Sequence, residues 1–154
     1  VKVNVIKSTS KDLVLYLVLD NFCPIWKNIS TKYIKSYKDL RAWQKAMSLV
    51  SRVYKISNSF PNDEKFGLTL QIRKAAVSVP SNIAEGWGRS TTKNYIQFLR
   101  ISRGSLYEIE TQLQIALDLN YTDDTKPAMA LIMEVGKMLN GLINKLDKPL
   151  TPNA

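Results

Sequence analysis

From Tyr37 onward the apolar residues recur every three or four positions, the spacing that lines one face of an α-helix. Leu40, Trp43, Met47, Val50 and Tyr54 step by 3, 4, 3 and 4, which predicts a helix over 38–58. Asn58-Ser-Phe-Pro-Asn62 ends it, because proline cannot continue a helix and restrains the residue before it. Leu68, Ile72, Ala76, Val79, Ile83 and Trp87 form a second stripe, predicting a helix over 63–88. Asn62 or Asp63 would cap it, with Asp63 and Glu64 at its positive end. Pro80 lies inside this stripe. Either the helix stops there or it bends, and the unbroken phase of the stripe favours a bend. Gly86 and Gly88 are expected to end it.

A third stripe holds Tyr95, Phe98, Leu99, Ser102, Leu106, Ile109, Leu113, Ala116 and Leu117, predicting the longest helix, over 92–120, with Thr91 or Thr92 as its cap. Asn120 to Thr125 is a polar break in which Asp123 and Asp124 suit the cap of a fourth helix. That helix carries Leu131, Ile132, Val135, Met138, Leu139, Leu142 and Leu146 and ends before Pro149. Four amphipathic helices with short polar turns predict an all-α fold, an antiparallel up-and-down four-helix bundle over residues 37–147. Residues 148–154 are left as a tail.

Residues 1–36 have another texture. Val1, Val3 and Val5 alternate with other residues, and Leu13 to Leu19 (LVLYLVL) is rich in β-formers, so a pair of short strands or a hairpin is the local expectation for this extension. The apolar run is bracketed by Asp12 and Asp20, and seven residues fall far short of the ~20 that span a bilayer as a helix. No membrane association is expected.

Composition narrows the chemistry. The chain has 154 residues, 45% of them hydrophobic and 23% charged, the balance of one ordinary globular domain. It contains no histidine, which excludes Ser-His-Asp triads, Cys-His pairs and histidine-bearing metal sites within the chain. The single cysteine, Cys23, allows no internal disulfide and no four-cysteine cluster, which is compatible with a reducing cytoplasm. No catalytic residue, metal or cofactor is expected.

Charge points the other way, towards a partner. The net charge is +9, a field that draws in polyanions such as nucleic acid. It is uneven: residues 65–103 hold 7 basic residues against 1 acidic, whereas residues 104–154 hold 4 against 7. On the third helix Lys93, Gln97, Arg100 and Arg103 lie within an arc of about 120° away from the apolar stripe, a row able to follow a phosphate backbone. Four such contacts to duplex would give a log–log salt slope of about −3.6, or roughly 150-fold between 50 and 200 mM salt. The bland alternative is a solvated helix face.

On the second helix Lys74, Ser78, Ser81, Asn82, Glu85 and Arg89 share a polar face. A Lys74–Ser78 pair has the residue types of a nucleophilic dyad, but no oxyanion hole accompanies it, and chance spacing explains it better. Glu85 and Arg89 read as a helix-supporting ion pair. Val77, Ile101, Tyr107 and Ile115 fall off the core stripes. Such residues are either ordinary surface hydrophobes or an interface between copies of the chain.

Several motifs resemble one family. Asp39-Leu40-x-x-Trp43 opens the first helix, and Phe60-Pro61 and Gly67-Leu68-Thr69 follow. The most specific run is Gln71-Ile-Arg73-Lys-Ala-Ala-Val-Ser-Val-Pro80-Ser-Asn82-Ile-Ala-Glu85-Gly86, with Gly88-Arg89 after it. Phe98-Leu-Arg100-Ile-Ser-Arg103-Gly104-Ser105-Leu106-x-Glu108, Glu110-Thr-Gln-Leu113 and Met138-Leu-Asn-Gly-Leu142 complete it. From Tyr37 to about Leu146 the chain resembles the four-helix-bundle proteins encoded within intervening sequences of bacterial large-subunit ribosomal RNA genes, relatives of the accessory protein of diversity-generating retroelements. The resemblance implies an antiparallel bundle assembled as a barrel-shaped homopentamer, without enzymatic activity. The retroelement relatives are basic, bind nucleic acid and associate with a reverse transcriptase. Arg73, Arg89, Arg100 and Arg103 stand at motif positions; with Lys74 and Lys93 they are the expected phosphate contacts, or ion pairs between protomers. Residues 1–36 have no counterpart in the family.

Overall fold

A computed structural model of the chain describes residues 34–147. The expected strands in the N-terminal extension lie outside the described residues. Four helices follow one another: α1 (Arg41–Ser57), α2 (Leu68–Trp87), α3 (Thr92–Asp118) and α4 (Lys126–Leu146). Short 3₁₀ turns at Tyr37–Asp39 and Asn62–Lys65 precede α1 and α2. No strand occurs among the described residues.

Each helix packs on its neighbour in chain order, and α4 closes back on α1. Side-chain contacts match rising positions on one helix with falling positions on the next, the mark of antiparallel packing. Ser78 meets Ser105 and Gly86 meets Phe98 across α2 and α3; Arg103 reaches Asn140 and Arg100 reaches Asp147 across α3 and α4. The architecture is therefore the up-and-down bundle that the periodicity predicts.

The core is built from Leu49, Val53, Ile72, Val79, Ile83, Leu99, Leu106, Ile109, Leu113, Val135 and Leu139, all essentially without exposure. On α2, α3 and α4 these fall on the predicted stripes. On α1 they do not. The buried apolar positions there are Ala42, Ala46, Leu49 and Val53, while Met47 and Tyr54 are 42% and 40% exposed. The large residues of the predicted stripe sit beside the core, and a narrower line of alanine, leucine and valine faces it. Small residues let α1 approach closely; Trp43 and Val50 pack against the edge of the core, and Met47 and Tyr54 are turned out along its flank.

The α2–α3 pair is the tightest in the bundle, and its seam is lined with small and polar groups. Ser102 is fully buried and donates from Oγ to the Val79 carbonyl at 3.0 Å, and Ser78 and Ser105 share a hydrogen bond of 2.8 Å. Gly86 is buried at the end of the seam: a Cβ there would stand 2.7 Å from Phe98 Cβ and 2.8 Å from Tyr95 Cδ2. Gly86 thus does not stop α2, contrary to expectation; it admits the first turns of α3. The helix ends at Gly88, whose N–H bonds to the carbonyls of Ala84 and Glu85.

The helix runs unbroken through Pro80. Proline removes one backbone donor and crowds the carbonyls of the preceding turn. The carbonyl left without a helical donor is that of Ala76; the next three, whose helical donors Ser81, Asn82 and Ile83 are not proline, take additional bonds from side chains. Ser81 Oγ donates to Val77 O, Asn82 Nδ2 to Ser78 O, and Ser102 Oγ to Val79 O. The Val-Ser-Val-Pro-Ser-Asn run therefore supplies two of these three donors from its own residues.

Caps differ in detail from the expected ones. Helix α2 starts at Leu68, later than predicted, since Asn62–Lys65 forms a separate 3₁₀ turn; Glu64 Oε2 accepts the Leu68 N–H at 2.7 Å in place of Asn62 or Asp63. Thr91 caps α3, accepting the Asn94 N–H. Asp124 accepts the Lys126 N–H at 2.9 Å, with Pro127 in the first turn of α4. Asn120 ends α3 at φ 55°, with Tyr121 N–H on Ala116 O and Asn120 N–H on Leu117 O, the paired bonds of a Schellman turn.

Candidate nucleic-acid interface

The basic row on α3 keeps its predicted placement. Lys93, Gln97 and Arg100 are exposed, and Arg103 lies one step round the helix towards α4, half-buried. Arg100 pairs with Asp147 at 3.0 Å, with side chains 46% and 57% exposed. Arg103 donates from Nη1 to Asn140 Oδ1 at 2.8 Å, which ties its guanidinium to α4 across the α3–α4 seam.

The other basic residues are elsewhere. Arg73 is a clamp: Nε donates to the buried Ser57 Oγ at 2.7 Å, Nη2 donates to Asn58 Oδ1 at 2.8 Å, and the guanidinium stacks 4.8 Å from the Tyr54 ring centre. It ties α2 to the end of α1. Lys74 is exposed on the outer face of α2. Arg89 pairs with Glu85 as predicted and lies 4.5 Å over the Phe98 ring at the α2–α3 corner. The six basic residues do not converge. Lys93, Arg100 and Arg103 form one line; Arg89 sits near its start, and Arg73 and Lys74 lie farther along α2. Ser78 spends its hydroxyl on Ser105 and Asn82, within the seam.

The off-stripe apolar residues are exposed but also divided. Val77 borders a groove of about 240 Å³ between α1 and α2, together with Trp43, Met47, Val50 and Pro80. Ile101 and Ile115 are 43% and 41% exposed on the α2 side of α3. Tyr107 is 58% exposed on the other side, where with Arg103 and Glu110 it faces Met133, Lys137 and Asn140 of α4 across a cleft of about 230 Å³. Gly136 forms part of that wall. Sequence reasoning missed Glu110, Lys137 and Asn140 as neighbours of the basic row, because their approach depends on the relative rotation of α3 and α4.

Two phenols sit in unusual surroundings. Tyr95 packs against Gly86 and edge-on to Trp87, its hydroxyl buried without a hydrogen bond, and burial pushes its pKa up to about 12. Tyr121 joins the two loops at the opposite end of the bundle. Its carbonyl accepts from Ser59 Oγ, its ring lies 5.9 Å from Phe60, and its hydroxyl donates to Glu64 Oε1 at 3.3 Å. Desolvation, then the Glu64 carboxylate, raises its pKa.

Among the described residues no cluster of histidine, cysteine or carboxylate could hold a metal ion, and no helix is long and apolar enough to cross a membrane. A search of curated proteins finds no match. A family model does match: that of the 23S rRNA-intervening sequence protein, over residues 38–141. That span takes in α1, α2, α3 and most of α4, and with the all-helical bundle it places the chain in the 23S rRNA-intervening sequence protein family.

Proposed function

We propose that the protein is a non-catalytic bundle that works as an oligomer in the cytoplasm and binds RNA or DNA along α3. The observation that carries this reading is the line of Lys93, Gln97, Arg100 and Arg103, about 15 Å long at 1.5 Å per residue, on the segment where net positive charge is concentrated. The pair of Arg100 with Asp147 does not remove Arg100 from use. Half-exposed ion pairs are worth about 1 kcal/mol or less, so a phosphate can take the place of the carboxylate. Oligomerisation, with the pentamer implied by the resemblance as the expected form, is supported by the apolar groove between α1 and α2 and by exposed Met47 and Val77 beside it.

The test is a Lys93→Glu/Arg100→Glu/Arg103→Glu variant titrated with structured RNA by fluorescence anisotropy at several salt concentrations. With the fold and assembly retained, affinity should drop by more than tenfold and the salt slope should flatten by about one per contact removed. Unchanged affinity and slope would refute the interface.

A second reading is a scaffold for another protein, such as a reverse transcriptase or a ribosomal component, without direct nucleic-acid contact. The α1–α2 groove favours it. A protein partner retained after nuclease treatment, by a protein that carries no polynucleotide at low salt, would establish it over the first.

A further inference from the structure

The α3–α4 cleft combines features that the basic row alone does not require. Tyr107 presents a largely exposed aromatic ring at one wall, and Met133, 62% exposed, stands opposite. Arg103, fixed by Asn140, and Lys137 place two positive charges at the rim, and Glu110 places one carboxylate on the same α3 face as Tyr107. At about 230 Å³ the cleft lies below the ~300–1,000 Å³ of enclosed small-molecule sites, but it is open and has room for a planar ring. It lies at the end of the basic row: from Lys93 to Tyr107 is about 21 Å along one helix.

We propose that this cleft takes one unpaired base of a single-stranded polynucleotide whose backbone follows Lys93, Arg100 and Arg103. This rests on the nucleic-acid reading above and adds a base site to it. The base stacks on Tyr107, with Met133 covering its other side, while Arg103 and Lys137 hold the flanking phosphates. Single-strand recognition commonly combines an aromatic platform with a cationic track in this way. Glu110 decides which base. A carboxylate only accepts hydrogen bonds, so it favours an edge with adjacent donors, which guanine offers in N1–H and N2–H and uracil does not. The apolar wall argues against a purely phosphate-binding site, and the paired cations at the rim argue against a neutral peptide.

The test uses labelled octaribonucleotides, all-uridine or with one central guanosine, measured by fluorescence anisotropy against the whole protein. Wild type should bind the guanosine oligomer more tightly. Tyr107→Ala should weaken that binding about tenfold, Tyr107→Phe should retain it, and Glu110→Gln should erase the guanosine preference while leaving the salt slope unchanged. Tyr107 is exposed, so these variants keep the core intact, checked by circular dichroism. If Tyr107→Ala binds both oligomers as wild type does while the triple charge-reversal variant loses them, the base site is wrong and the basic row stands. If Tyr107→Ala changes only the oligomeric state, the residue belongs to an interface between copies and the base site is again wrong. If wild type binds neither oligomer at low salt but still binds structured RNA, the single-strand proposal fails alone. If it binds no nucleic acid, both readings fail.

Discussion

Tyr95 shows how a single buried hydroxyl couples this bundle to pH. Its phenol is neutral in the folded protein up to about 12, against 10 when exposed to water. A raised folded-state value means that the contribution is fully present below pH 10 and is lost as pH climbs from 10 to 12, because only the unfolded chain gives up the proton in that window. The loss should approach about 2–3 kcal/mol by pH 12. Tyr95→Phe should abolish that part of the alkaline slope in urea denaturation. At pH 7 the same change should leave stability level or raise it by about 1 kcal/mol, since it removes a buried hydroxyl that has no partner. A marked loss at pH 7 would show that the hydroxyl is bonded after all. The apolar stripe of α3 marks Tyr95 as core-facing, but the isolation of its hydroxyl depends on the close approach at Gly86 and was not legible in the sequence.

Among the elements, the end of α3 gives the cleanest case of local sequence fixing local structure. Asn120 adopts a left-handed conformation that side chains with a Cβ disfavour, and asparagine tolerates it better than most. Asn120→Gly should stabilise the bundle by up to ~1 kcal/mol, and Asn120→Val should cost about 1–2 kcal/mol, read from urea midpoints at constant m-value. The four helices and their order were legible from periodicity because α2, α3 and α4 each bury one continuous stripe. Helix α1 was legible in extent but not in rotation. Two of its bulky stripe residues, Met47 and Tyr54, are exposed while Ala42 and Ala46 are buried, and only contact with α2 and α4 selects the Ala42–Ala46–Leu49–Val53 line. The passage of α2 through Pro80 was legible in the phase of the stripe; the donor from Ser102, 22 residues later, was not. The basic row needed only one helix to be read, whereas the cleft beside it needs the packing of two.

At the scale of the whole molecule, the groove between α1 and α2 is where the proposed assembly is best tested. Met47→Glu with Val77→Glu places two like charges on positions that are each 42% exposed, so the core of the protomer should tolerate them. The expected outcome is a fall in mass by light scattering to a single 17.5 kDa chain, with circular dichroism unchanged. An undiminished oligomer would move the contact surface to another face, with Ile101 and Ile115 on α3 next in line.

The clasp formed by Ser59, Phe60, Glu64 and Tyr121 gathers both long connections at one pole of the bundle. With four antiparallel helices, the start of α1 and the finish of α4 therefore lie together at the other pole, alongside the Gly88–Thr91 corner. A fluorescent reporter or affinity handle joined directly ahead of the Tyr37–Asp39 turn or directly after Asp147 would ride on that side. Were copies arranged around a rotation axis parallel to the helices, every fused cargo would crowd one rim of the ring and leave the clasped rim bare.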